Sequence, residues 1–291
     1  MKTSVLLALL LSGALASSAA PSVNFSLPKT TGSHDYVTTT ESRSYSPDGV
    51  PTRIATYSAA VTVSRDESGR QSLVCRSFTY TGADGVAHAI PALAGWTHVL
   101  DLTAAEVLGI PHADFAGLTY EDGTPLSPDA SYGVYNTFVD FYAFTNVFAD
   151  AAPCGGSIAD LKEPGRTIRH HSAGSKPAVN LGDAVKEGSY FQNGPVSLTF
   201  KGYADGGDDA PALVGFDSGD SSFLMLMEPM PGMKMTIKGG SHYWGEMTLD
   251  TATRWVKKST FTEIVVSRMT FAANPPMDSV IIRSGSITAK N

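Results

Sequence analysis

The chain has 291 residues, 42% hydrophobic and 17% charged, a balance that excludes a largely disordered protein. Its formal charge is −7, and no basic run is longer than Lys257-Lys258. That is a poor footprint for phosphate backbones, so no nucleic acid is expected as a partner, nor electrostatic docking on anionic membranes.

Residues 1–19 have the layout of a secretory signal peptide. Lys2 gives a small positive n-region and Val5 to Leu11 an uncharged apolar run. Ala14-Leu15-Ala16 and Ser17 to Ala20 offer small-residue cleavage sites. The run is too short to span a membrane, and no later stretch reaches the ~18 apolar residues that a span needs. The expectation is an exported protein without a transmembrane segment, secreted or periplasmic. Cys75 and Cys154 are the only cysteines. In an oxidising compartment they are expected to form one disulfide. Closing a loop of about 80 residues adds roughly 4–5 kcal/mol in the chain-entropy model.

Residues 20–50 are rich in Ser, Thr and Pro and read as a loosely ordered N-terminal segment, with regular structure starting near Thr52. Within it, Asn24-Phe25-Ser26 is a glycosylation sequon, meaningful only in a eukaryotic host. Ala55 to Ser64 alternates, with Tyr57, Ala59, Val61 and Val63 on one face. Asp66 to Gly69 is a turn, Ser72 to Thr81 the returning strand, and Val86 to Ile90 a further short one. Thr103 to Glu106 is a capping box, closed by Gly109 and Pro111. Ser127-Pro128-Asp129 can open a second helix over residues 130–150. The Val, Thr, Tyr and Phe content there suits a strand equally well, and both readings stay open. From Val185 onward the pattern is an antiparallel meander. Its strands are expected at Val196 to Tyr203, Ala212 to Asp217, Ser222 to Met227, Met233 to Lys238, Tyr243 to Leu249, Trp255 to Met269 and Met277 to Ala289. The whole is mainly β, an antiparallel meander or an incomplete barrel or curved sheet, with a few helices from the middle of the chain. Residues 51–291 read as a single β-rich domain with a mixed insert around 101–185.

The most unusual local composition runs from Phe223 to Ile237 and carries five methionines. With a turn at Glu228 to Gly232, Met227 is expected opposite Met233 and Met225 opposite Met235. Three readings follow for this face. Flexible methionines fill irregular core space, adapt to a hydrophobic or amphipathic ligand, or act as soft ligands for copper(I). A second cluster, Gly239 to Glu246, places His242, Trp244 and Glu246 on one face of a strand. An imidazole, a flat aromatic and a carboxylate together can bind a sugar or perform acid–base chemistry. Asp140, in the aromatic run Phe138 to Phe144, is a third candidate, because burial raises a carboxyl pKa.

The familiar signatures of nucleophilic, metal-dependent and nucleotide-dependent enzymes are absent. No cofactor or resident metal is expected. The leading expectation is an exported protein that binds a small hydrophobic or amphipathic molecule through Met225, Met227, Met233, Met235 and Trp244. The alternative is a hydrolase or lyase of an extracellular polymer, using Asp140, His242 and Glu246. A copper-binding protein is the further alternative.

Overall fold

A computed structural model describes residues 23–25, 27–101, 109–149, 157–169, 174–177, 184–204, 210–271 and 274–290. The expected signal peptide, the Thr103 to Glu106 capping box and Cys154 lie outside the described residues.

The chain is mainly β. Its strands are β1 (Gly32–Tyr45), β2 (Pro51–Arg65), β3 (Arg70–Thr81), β4 (Ala87–Ala89), β5 (Thr97–Asp101), β6 (Thr167–Arg169) and β7 (Gly174–Pro177). There follow β8 (Tyr190–Asn193), β9 (Ser197–Tyr203), β10 (Ala212–Asp217), β11 (Ser221–Met227), β12 (Met235–Leu249), β13 (Val256–Phe271) and β14 (Asn274–Ala289). All belong to one antiparallel sheet that does not close into a barrel. Its main path runs β4-β3-β2-β1-β14-β13-β12-β10-β9-β6. Strand β12 is long enough to pair with two partners on the same edge, β11 along Met235–Ser241 and β10 along Trp244–Leu249.

Two sequence expectations change here. The segment 20–50, read as loose, carries the 14-residue strand β1 at the centre of the sheet, between β2 and β14. Its covered face is built from Tyr36, Thr38 and Thr40, all buried. Threonine is β-branched and suits a strand as valine does, so a Ser/Thr-rich composition hides a central strand. The chain is also pinned upstream of β1, where the Val23 N–H donates to the Tyr203 hydroxyl at 3.0 Å and Phe25 packs edge-on against Phe200. Second, the two strands expected at Met233 to Lys238 and Tyr243 to Leu249 are the single strand β12, which begins at Met235. The glycines between them admit close neighbours rather than a bend. A Cβ on Gly239 would fall 2.3 Å from the Val266 carbonyl and 2.6 Å from the Phe223 ring.

Among the described residues there is one α-helix, α1 (Pro128–Tyr142), which settles the ambiguity of the middle segment. Ser127 caps it by accepting the Ala130 N–H at 3.2 Å, with Pro128 and Asp129 in the first turn. Ala130, Val134, Phe138 and Phe141 are buried at helical spacing. They lie on one face of the sheet, with Phe138 against Phe78 of β3 and Phe141 against Tyr36 of β1. A π-helical turn, Ala143–Val147, extends the helix and places Phe144 on Phe216 and Phe261. The face under α1 is the inner face, and the other is the outer face.

Among the described residues Cys75 carries a free thiol, and Cys154, its expected partner in the bridge, lies outside them. Cys75 is fully buried on β3, where Sγ donates to the Ser77 carbonyl at 3.4 Å. Burial pushes the thiol up to about 12, because the core disfavours the thiolate.

Candidate binding trough on the outer face

Side chains alternate along β12, so its odd-numbered residues face inward and its even-numbered ones outward. This parity separates the sequence candidates. Met235 is inward, opposite Met227, and Ile237 is opposite Met225. The register is shifted by two from the expected pairing, and Met233 falls in the turn before β12, where it is 40% exposed. Met225 itself is only 6% exposed. Trp244 points the other way, away from the methionines, so the expected ligand set does not come together. His242 is outward as well, on the face opposite Met225, Met227 and Met235, so the copper reading finds no shared site.

Asp140 also stands apart from His242 and Glu246. It belongs to α1 on the inner side, where Arg283 of β14 donates to it and to Glu263 of β13. All three side chains are only 14–15% exposed. Burial pushes the Asp140 carboxyl up to about 7; the Arg283 guanidinium opposes this shift and the Glu263 carboxylate adds to it. The arrangement braces the helix on the sheet.

The outer face of β12 brings together His242, Trp244 and Glu246 as alternation requires, with additions the sequence did not reveal. The chain passes from β10 to β11 through Ser218, Gly219 and Asp220, which lie beside the middle of β12. Fully buried Ser218 donates its N–H to the Tyr243 carbonyl at 2.8 Å, and its hydroxyl accepts the Tyr243 N–H at 2.9 Å. This clamp sets the two flanking aspartates around His242. Nε2 of the imidazole lies 3.1 Å from Asp217 Oδ1, and Nδ1 lies 3.5 Å from Asp220 Oδ1. The Trp244 ring stands at 74° to the imidazole, 5.5 Å between centroids. On the far side of Trp244, Lys201 of β9 donates to Glu246.

Trp244 is 39% exposed and stands between two adjoining depressions that share it and Asp217. One, of about 480 Å³, is floored by the hydroxyl residues Ser197, Thr199, Thr260 and Thr262, with the Lys201–Glu246 pair at its rim. The other, of about 680 Å³, is lined by Gly240, Ile264 and Val266, with Asp217, Asp220 and His242 along one side. Together they make a shallow trough across β9, β10, β12 and β13. Asp217, Asp220 and Lys201 were missed because they reach the site through long-range pairing. Their only local signal, Asp217-Ser-Gly-Asp220, is that of an ordinary turn.

His242 and Glu246 lie four residues apart on an extended strand, about 13 Å, and Glu246 is engaged by Lys201. That spacing is too long for these two groups to act together on one bond. Among the described residues, no group of His, Cys, Asp and Glu side chains is placed to hold a metal ion, and no helix is long and apolar enough to cross a membrane.

No family model and no curated protein matches the chain. Among solved structures it is similar to a proposed exported protein with a YmcC-like fold from Bacteroides fragilis NCTC 9343. The identity is 11% and the TM-score 0.21, covering 90% of this chain and 97% of that one. A likeness this slight carries neither fold nor function across.

Proposed function

We propose that the protein is exported and binds an amphipathic, polyhydroxylated ligand of the sugar type in the trough at Trp244. Export rests on the leader-like residues 1–19. The observation that carries the binding reading is the exposed indole of Trp244 beside a floor of four hydroxyl side chains, with charged groups along the rim. A sugar ring presents C–H groups on its faces and hydroxyls around its edge. A flat aromatic meets the first, and Thr, Ser, Asp and Lys side chains meet the second. The methionine face has less in its favour as a ligand site, because Met225 is buried and Met233 lies outside the strand.

The test is titration calorimetry of the mature protein against a panel of soluble oligosaccharides, repeated with Trp244→Ala. Binding of at least one glycan, weakened tenfold or more by the substitution with folding unchanged, is the expected result. A panel without binders, or binding indifferent to Trp244, overturns the reading.

A further inference from the structure

The two halves of the trough differ in chemistry, and the difference points to the shape of the ligand. On the Glu246 side of Trp244 the floor is hydroxyl-bearing; on the Gly240 side Ile264 and Val266 supply an apolar portion, edged by Ser221, Ser241, His242 and the two aspartates. Ile264 is 37% and Val266 50% exposed, both on the outer face of β13. Isolated exposed aliphatics are ordinary on any protein surface. These two are not isolated. The register sets Ile264 beside Ile282, and Val266 beside Val280, which in turn pairs with Tyr45 of β1. Cross-strand neighbours stand about 5 Å apart on the same face, so the five side chains form one block across β13, β14 and β1. Gly240, opposite Val266, leaves the block open toward Trp244. On its far side runs the charged row Lys238, Arg268 and Asp278.

We infer that the ligand is a glycoside with an apolar substituent, its sugar on the Ser197, Thr199, Thr260 and Thr262 floor and its hydrocarbon or aryl portion over Ile264 and Val266. This rests on the sugar-type reading of the trough and adds the second half of the ligand. Trp244 serves both parts, because an indole face accepts sugar C–H groups and hydrocarbon alike. The apolar block is continuous with the trough and bordered by charge, with Arg43 of β1 beside Ile282 and paired to Glu41, so the occupant favoured there is the remainder of the same molecule.

The experiment uses methyl, hexyl and octyl β-glucosides, galactosides and maltosides below their micellar concentrations, titrated into the mature protein by calorimetry. Affinity for at least one head group is expected to rise tenfold or more from methyl to octyl. Ile264→Thr and Val266→Thr, which keep the branched shape, are expected to reduce that rise to under threefold. Equal affinity for methyl and octyl forms overturns the two-part ligand and leaves the sugar site standing. A rise that both threonine variants preserve overturns it too, since the chain then lies elsewhere. Octyl binding indifferent to head group and to Trp244→Ala, or no binding by any compound, overturns the sugar-type reading and this inference with it.

Discussion

Ser218 and Tyr243 form a reciprocal pair across the gap between β10 and β11. The Ser218 N–H reaches the Tyr243 carbonyl, and the Tyr243 N–H reaches the Ser218 hydroxyl. At this point β12 changes partner, and without the pair its backbone would lose a donor's and an acceptor's partner in a buried position. A serine side chain thus completes a ladder that backbone alone leaves open. The aspartates on either side of the break are turned toward His242 as a result.

Ser218→Ala removes the acceptor for the Tyr243 N–H and is expected to cost about 1–3 kcal/mol, the range for a buried donor left unpaired. Denaturant unfolding measures it. Ligand affinity at Trp244 is expected to fall as well, although Ser218 does not line the trough, because Asp217 and Asp220 lose their fixed positions. A stability change under about 0.5 kcal/mol would show that the clamp is replaceable by water.

Gly133 sits inside α1, where alanine would ordinarily favour the helix by about 1 kcal/mol. The opposite is expected here. A Cβ at this position would fall 2.2 Å from Cζ of Tyr57 on β2. Gly133→Ala should therefore destabilise by about 1–3 kcal/mol through overpacking. Adding Tyr57→Leu should recover part of that loss, with the thermal midpoints of the two variants compared. Independent, additive effects of the two substitutions would sink the steric account.

The alternation of burial along β2 was legible because it has period two and uses aliphatic and aromatic residues. Strand β1 was not, because Thr38 and Thr40 occupy inward positions with side chains that read equally as loop. The helix was half legible. Ser127 announces its start, but the aromatics that follow fit either structure, and only packing on Phe78 and Tyr36 decides. In the site, the shared face of His242, Trp244 and Glu246 follows from parity alone. The same parity excludes Met235 from that face, but only if the strand runs unbroken through Gly239-Gly240. Composition cannot tell a glycine that bends the chain from one that admits the Phe223 ring. Lys201, Asp217 and Asp220 depend on pairings between strands distant in sequence, which leave no local pattern.

The buried Cys75 thiol, pushed up to about 12 by its surroundings, is expected to be inert in the folded protein. In a Cys154→Ser background, a thiol-specific chromogenic disulfide reagent should react only after unfolding. The wild-type chain should keep its unfolding midpoint when dithiothreitol is added, whereas opening a disulfide across about 80 residues would remove roughly 4–5 kcal/mol. A reductant-sensitive midpoint would restore the bridge to Cys154.

Arg283 holds two carboxylates, Asp140 from the helix and Glu263 from the sheet, with all three side chains largely buried. One guanidinium cannot neutralise both, which agrees with Asp140 being pushed up to about 7 by burial. The folded protein then holds a proton between about pH 4 and 7 that the unfolded carboxyl, at about 3.9, has released. The contribution of this group to stability therefore declines as pH rises through that window. Asp140→Asn should remove that part of the decline, so that the variant gains on wild type from pH 5 to pH 8. Arg283→Met is expected to act in the reverse sense. At pH 8 it leaves two buried carboxylates facing each other and should cost about 3–5 kcal/mol. The loss should shrink toward pH 5, where Asp140 is protonated. Unfolding midpoints of the three proteins across pH 5 to 8 decide the matter, and a loss in Arg283→Met that does not vary with pH would mean that its packing, not its charge, secures the helix to the sheet.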